Sequence, residues 1–285
     1  MTDIYNSEEF ATLIELAYRE DAPTGDLSTR YILSESDRAI ATLIAKDDGI
    51  ISGLEVAYMV LCRCTPEEEI TFTSEYEDGD EVRKGDILAT IEAPYADLLR
   101  AERIMLNFMQ RMSGIATYTH QCVQCVAGTK TQILDTRKTA PGHRLTDKMA
   151  VRDGGGTNHR ASLSDMVMLK DNHIAMAGGI LPAVEEVRPH LPISIQIEVE
   201  TTTLEEVQEA IDAGADIIML DNMDIETMRR AVELIDGQAK VEASGNMTAE
   251  RLAAVAAVGV DYISIGALTH SVRAFDISMK IKPIQ

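Results

Sequence analysis

Ala213-Gly-Ala-Asp-Ile-Ile-Met-Leu-Asp221 and Val258-Gly-Val-Asp-Tyr-Ile-Ser-Ile-Gly266 repeat one design 45 residues apart. Each runs from a helix end through a glycine and an aspartate into a short apolar strand. Such runs, alternating with helices of about 10 to 15 residues, build βα units and a parallel sheet. The chain follows this rule from about residue 130 onward, with apolar runs at 131–135, 166–170, 193–200, 216–221, 240–244 and 262–266. Thr203-Leu-Glu-Glu206 reads as a capping box, and Asp224 and Thr248 as caps of the next two helices. The pattern fits a (β/α) barrel.

The strand ends carry the functional signal. The runs finish in Asp135, Lys170, Glu200, Asp221, Ser244 and Gly266. In a barrel these ends meet at the C-terminal face, where active sites sit. Residues far apart in sequence thus converge on one pocket.

The region before the barrel has a different texture. Ser7 caps a helix with Phe10, Leu13, Ile14 and Ala17 on one face. A loop, Glu20-Asp-Ala-Pro-Thr-Gly-Asp-Leu-Ser28, follows. Residues 38–92 are strand-rich, with strands at 39–45, 70–76 and 87–91 between Asp-Gly and Gly-Asp turns. From 94 to 119 the spacing is helical, with Leu98, Glu102, Met105, Met109 and Met112 along one side. Those methionines read as core filler.

Composition excludes several classes. At 285 residues the chain holds two domains, or one α/β barrel with an extra piece. A formal charge of -21 and a pI near 4.6 argue against broad nucleic-acid binding. No apolar run approaches the ~20 residues of a membrane span. The first residues show no secretion signal, so the expected location is the cytoplasm. Cys62, Cys64, Cys122 and Cys125 lack the turn residues of zinc knuckles and read as reduced thiols.

Against this acidic background, the stretch from Arg137 to Arg160 holds six Lys or Arg and only two acids. Arg137, Lys138, His159, Arg160 and Lys170 form a cationic group beside Pro141-Gly142 and Gly154-Gly-Gly156. It suits a ligand with two carboxylates, because arginine meets a carboxylate through two parallel N–H groups. Glu200 and Asp221 form an acidic pair. They read as a Mg²⁺ site and a stabiliser of positive charge on a sugar carbon, or as ion-pair partners of Lys170. Ser244-Gly-Asn246 and Gly266-Ala-Leu-Thr-His-Ser271 resemble the phosphate loops of barrels. A dicarboxylate, a metal-bound polyphosphate and a sugar phosphate together point to phosphoribosyl transfer from phosphoribosyl pyrophosphate.

These residues bring the chain close to a known family. It resembles quinolinate phosphoribosyltransferase, nicotinate-nucleotide pyrophosphorylase (carboxylating), through nearly its whole length. The resemblance rests on Glu20–Ser28, Glu102-Arg-Ile-Met-Leu-Asn-Phe-Met-Gln-Arg-Met-Ser-Gly-Ile-Ala-Thr117, Asp135-Thr-Arg-Lys-Thr139, Asn158-His-Arg160, Lys170-Asp-Asn-His173, Glu198-Val-Glu200, Leu220-Asp-Asn222 and Glu242-Ala-Ser-Gly-Asn246. It implies an N-terminal α/β sandwich domain at 1–113, an open, incomplete (β/α) barrel at 114–270, and a segment at 271–285 returning to the first domain. It implies a homodimer, or a higher assembly, in which Arg103 reaches the neighbouring site. By the same resemblance Arg137, Lys138, His159, Arg160 and Lys170 bind quinolinate. Glu200 and Asp221 lie near the ribose and Mg²⁺, and Ser244, Gly245 and Gly266 hold phosphate. Glu200, Asp221 and Lys138 are the expected catalytic residues. Three rivals are a molybdate-transport-associated relative, a non-catalytic sugar-phosphate or dicarboxylate sensor, and a nicotinate-specific transferase.

Overall fold

The computed structural model describes residues 7–34 and 36–284. In chain order the elements begin with α1 (Glu8–Asp21), β1 (Arg38–Ala45), β2 (Gly49–Ile50), α2 (Leu54–Cys62), β3 (Thr71–Thr73), β4 (Glu81–Val82), β5 (Ile87–Pro94) and α3 (Tyr95–Cys125). There follow β6 (Gln132–Leu134), α4 (Arg144–Asp153), β7 (Val167–Leu169), α5 (Asp171–Ala177), α6 (Ile180–Val187), β8 (Ile197–Thr201) and α7 (Leu204–Asp212). The chain ends with β9 (Ile217–Asp221), α8 (Ile225–Ile235), β10 (Lys240–Ser244), α9 (Ala249–Ala256), β11 (Tyr262–Ser264), α10 (Ala267–His270) and β12 (Ile277–Pro283).

Two compact units result. The first takes the described residues up to Tyr118, with 140–155 and those from Ser271 onward; the second takes 119–139 and 156–270. The stretch 140–155, placed by the sequence within the barrel region, groups with the first unit. Its helix α4 carries the fully buried Asp147, which accepts both arms of the Arg111 fork from α3 at 2.8 and 2.7 Å.

In the first unit an antiparallel sheet runs in the order β12-β1-β5-β3. The last strand therefore comes back to pair with the first, Ala39 opposite Pro283 and Ala45 opposite Ile277. Every second residue of β1 is buried, from Ala39 to Ala45, as a half-covered strand requires. Ser7 caps α1 as expected, its Oγ accepting the Phe10 N–H at 3.2 Å. Leu98, Met105, Met109 and Met112 of α3 are fully buried, and the four cysteines are free thiols.

In the second unit six parallel strands run in the order β6-β11-β10-β9-β8-β7. This is the cyclic order of a barrel, cut between β6 and β7. The (β/α) barrel is therefore open at one seam. β6 is partly compensated on its free side, where Thr157 forms a parallel bridge to Leu134 and its N–H bonds the Ile133 carbonyl at 2.8 Å. The Thr203 capping box and the Asp224 cap form as read. Two details differ. Thr248 stands at the N-cap of α9 without a side-chain bond. The strand expected from residue 193 begins at Ile197, because the Ile195 N–H turns back to the Pro192 carbonyl and leaves Ile193 fully exposed. No helix among the described residues is long and apolar enough to cross a membrane.

The return of the chain depends on a glycine within α3. The Phe275 N–H donates to the Gln110 carbonyl at 2.9 Å, and a β-carbon at Gly114 would stand 2.2 Å from the Arg273 carbonyl oxygen. Alanine ordinarily stabilises a helix interior relative to glycine. Here Gly114→Ala is expected to destabilise the protein by about 1–3 kcal/mol, because neither backbone can give way. Denaturant unfolding checks this, and a gain in stability would contradict the packing described.

Candidate active site

The side chains that converge do so through the two-residue period of the strands. Residues 198 and 200 of β8 share one face, and in-register partners face the same way. Glu198 aligns with Met168 and Ile217, Glu200 with Met219, Met219 with Glu242, and Asp221 with Ser244. One inner face thus presents Glu198, Glu200, Asp221, Glu242 and Ser244 towards the C-terminal strand ends.

The open seam is spanned by the loop that bears Asn158, His159 and Arg160. Asp135, fully buried just beyond β6, organises it: its carboxylate accepts the His159 N–H at 2.7 Å and the Asn158 amide at 2.9 Å. Arg160 then reaches toward β7, donating to the Met166 carbonyl at 3.0 Å and to Met168 Sδ at 3.5 Å. Burial, and the nearby Arg137 charge, lower the Arg160 pKa from its ordinary value. Two like charges near each other, that of Arg160 partly withdrawn from water, favour an anionic ligand.

Lys170, at the end of β7, ion-pairs through Nζ with Glu200, at the end of β8. The ion-pair reading of Lys170 is therefore realised in this state of the protein. The Lys170 backbone N–H donates to His173 Nδ1 at 3.0 Å, which explains the spacing of Lys170-Asp-Asn-His173. At the next strand end Asp221 accepts from the Asn222 amide at 2.8 Å. Asn222 has a left-handed backbone, φ 55°, and its Oδ1 accepts from Asn246 at 2.9 Å. Gly245 lies in the same crowded turn with φ 89°, and a β-carbon there would meet Asn222 Oδ1 at 2.2 Å. Glycine is required on both counts. On the other flank, a β-carbon at Gly266 would stand 3.0 Å from the Lys138 side chain, and Thr269 Oγ1 donates to the Lys138 carbonyl at 2.9 Å. Lys138 is exposed and forms no ion pair among the described residues. Arg103 lies exposed on α3 in the first unit.

His159 is placed differently from the other cations. Its ring is largely buried against the inner face, with Nε2 3.1 Å from Glu198 Oε2 and 3.3 Å from Glu242 Oε2. Only the Glu198 contact has hydrogen-bond direction; the Glu242 oxygens lack a directed donor. Nδ1 accepts the Arg160 backbone N–H at 2.7 Å. Burial works against charge on the ring, while Glu198 and Glu242 work for it and, without the Nδ1 bond, would push the pKa up to about 9. The Arg160 amide opposes them, because Nδ1 has no lone pair left for a second proton. Burial and Glu242 push Glu198 up to about 7, against the pull of His159. Near neutral pH Glu198 is therefore the carboxyl that retains a proton, and the ring keeps its own on Nε2. One donor atom from each of these three groups falls within 4.8 Å of the others, a spacing that could hold a metal. An Nε2 that carries a proton offers no lone pair to an ion, so the cluster is internally hydrogen-bonded.

Asp135 was read only as one of the polar strand ends, while Glu198 and Glu242 received no role from the sequence. The last two each stand two residues before an expected site residue, Glu200 and Ser244, and that spacing was the available signal.

Comparison with known proteins settles the lineage. Residues 26–113 match the quinolinate phosphoribosyl transferase N-terminal domain, and residues 115–280 its C-terminal domain. The chain belongs to the quinolinate phosphoribosyltransferase family. A probable nicotinate-nucleotide pyrophosphorylase (carboxylating) of Bacillus subtilis is 43% identical over 279 residues, covering 97% of this chain and 94% of that protein. A chloroplastic nicotinate-nucleotide pyrophosphorylase (carboxylating) of Arabidopsis thaliana is 44% identical over 96% of this chain and 83% of its own length. Among solved structures, NadC from Streptococcus pyogenes superposes with a TM-score of 0.92 at 39% identity, covering 97% of this chain and 98% of that one. The nicotinate-nucleotide pyrophosphorylase from Francisella tularensis gives 0.91 at 36% identity, covering 99% and 100%.

Within this family member, Asp135→Asn replaces one buried acceptor by a donor facing an N–H group. A stability loss of about 1.5–3 kcal/mol is expected, the scale of hydrogen bonds to a charged group. Urea unfolding measures it, and a loss below about 0.5 kcal/mol would contradict the organising role of Asp135.

Proposed function

We infer that this chain transfers phosphoribosyl from phosphoribosyl pyrophosphate to quinolinate, releasing pyrophosphate and CO₂ and forming nicotinate mononucleotide for NAD biosynthesis. Family membership supports the reaction class. The observation that carries the site assignment is the arrangement on the second unit. Lys170 pairs with Glu200 at neighbouring strand ends, Arg137 lies near enough to Arg160 to lower its pKa, and Lys138 lies against Gly266, which supports a shared anion site near Glu200 and Asp221.

In this reading the cations bind both quinolinate carboxylates and aim the ring nitrogen at the ribose C1. Fixing that geometry removes much of the entropic barrier. The nitrogen bonds to C1 as the bond from C1 to the pyrophosphate oxygen breaks, and pyrophosphate leaves with the electron pair. Positive charge develops on the ribose, and Glu200 and Asp221 stabilise it where it forms. The alkylated ring then draws in the electron pair of its 2-carboxylate bond, CO₂ departs, and the ring carbon takes up a proton. The turn of Ser244 and Gly245, and Gly266, hold the sugar phosphate.

Glu200 and Asp221 offer hard oxygen donors at neighbouring strand ends, a set that fits Mg²⁺, and they would hold it. When bound, the ion supplies neutralising charge for the leaving pyrophosphate. We also propose a homodimer in which Arg103 completes the neighbouring site; its exposure on α3 is compatible with that. A cytoplasmic location remains part of the proposal.

The deciding assay is CO₂ release from quinolinate that requires both phosphoribosyl pyrophosphate and Mg²⁺; no release from quinolinate would contradict the reading. Lys138→Ala and Arg160→Ala are each expected to lose about 100-fold or more in kcat/KM while remaining folded. Asp221→Asn is expected to lower kcat about tenfold or more with KM changed less than about threefold, because its interaction strengthens in the transition state. A pure KM effect would contradict that role.

A further inference from the structure

Arg160 is held at two points. Its guanidinium bonds the Met166 carbonyl and Met168 Sδ, and its backbone N–H bonds His159 Nδ1. Its remaining N–H groups have no protein partner among the described residues, so they are available to an anion. The backbone link is the unusual one, because it runs through an imidazole to the inner barrel wall. A ring nitrogen that accepts an N–H carries no proton, so the ring is protonated at Nε2 alone. That proton points at Glu198 Oε2 at 3.1 Å, with Glu242 Oε2 at 3.3 Å beside it. Turning the ring over would set carbon-bound hydrogens against the Arg160 amide and Glu198 both, so the same two contacts fix its orientation.

Both carboxyls are fully buried, Glu198 on β8 beside Ile217 of β9 and Glu242 on β10 beside Met219 of β9, one inner-face step further along. Neither touches the open end of the strands in the way Glu200 and Asp221 do, since each lies one inner-face step below a strand-end residue. Their place in the sheet is that of a support beneath the cation site.

We propose that Glu198 and Glu242 are positioning residues for Arg160: they hold His159 as the Nε2–H tautomer, His159 presents Nδ1 to the Arg160 amide, and this fixes where the guanidinium meets the anionic substrate. His159 acts through Arg160 rather than by contact with the substrate. Only the last link of this chain, the identity of the anion, rests on the quinolinate transferase reading. Arginine's two-pronged match to a carboxylate tolerates little displacement, so a drifting backbone weakens binding before it slows chemistry.

The first test needs no turnover. ¹⁵N correlation spectra of the histidine rings, recorded on the whole protein at neutral pH without substrates, are expected to show His159 protonated at Nε2 with Nδ1 bare. A doubly protonated ring, or one protonated at Nδ1, overturns the proposal. The second test is kinetic. Glu198→Ala and Glu242→Ala are expected to raise the KM for quinolinate about tenfold with kcat changed less than about threefold. In Glu198→Gln the amide oxygen still accepts from Nε2–H, so the KM is expected to return to within about threefold of the parent. A Gln variant as impaired as the Ala variant, or a fall in kcat at constant KM, overturns it. Should the Ala variants fail to fold, the spectra of the parent and of Glu198→Gln decide alone. Should the parent show no quinolinate-dependent turnover, the transferase reading fails while the ring spectrum still tests the linkage.

Discussion

Asp135 is a carboxylate with no exposure to solvent, and its oxygens are met by the His159 N–H and the Asn158 amide. A buried carboxylate that loses its donors is worth several kcal/mol of instability. The loop across the open barrel seam is therefore held in place by these two bonds. The rest of the site inherits this constraint. Thr157 lies beside β6 because the loop is drawn there, His159 enters the barrel interior, and Arg160 emerges against β7. A closed barrel would pair β6 with β7 and leave no entry for these side chains. The missing strand pair is the means by which a basic motif reaches an acidic interior.

The charge distribution has the same logic. The chain carries -21 overall, and an anionic substrate meets a repulsive field at long range. Screening limits that repulsion to about 8 Å at physiological salt, so a few correctly placed cations dominate once the ligand is near. Burial, and then the Arg137 charge, disfavour the charge on Arg160, so an anion beside them would be favoured. Lys170 and Glu200 neutralise each other in the protein described, so each is held near the strand ends by the other.

Much of this was legible from residues alone. The repeated helix-end, glycine, aspartate, strand design located the sheet, and the polar strand ends named Lys170, Glu200, Asp221 and Ser244, because strand direction and barrel geometry force those positions together. The cap residues Ser7, Thr203 and Asp224 were readable because capping is local. What could not be read was non-local. The cut between β6 and β7 follows from which strands pair, and nothing in either strand's sequence states its partner. Glu198 and Glu242 sit in quoted motifs, yet their roles depend on a third residue arriving from a loop. Pro192 misled the reading of β8, since the apolar Ile193 and Ile195 continue the strand pattern while the backbone turns. α4 and its flanks are tied to the first unit by contacts distant in sequence, Arg111 with Asp147 and Ser52 with Asp153 among them.

Family membership states which reaction to expect, and the proposed site ascribes selectivity to several cations gathered for a ligand with two carboxylates. The most direct measurement of that claim is equilibrium binding of quinolinate and of nicotinate, which has one carboxylate fewer, to the unmodified protein at fixed salt. The account predicts that quinolinate binds at least about tenfold more tightly, the worth of one charge-assisted contact pair, with a difference that shrinks as salt rises. Equal affinities for the two ligands would contradict it.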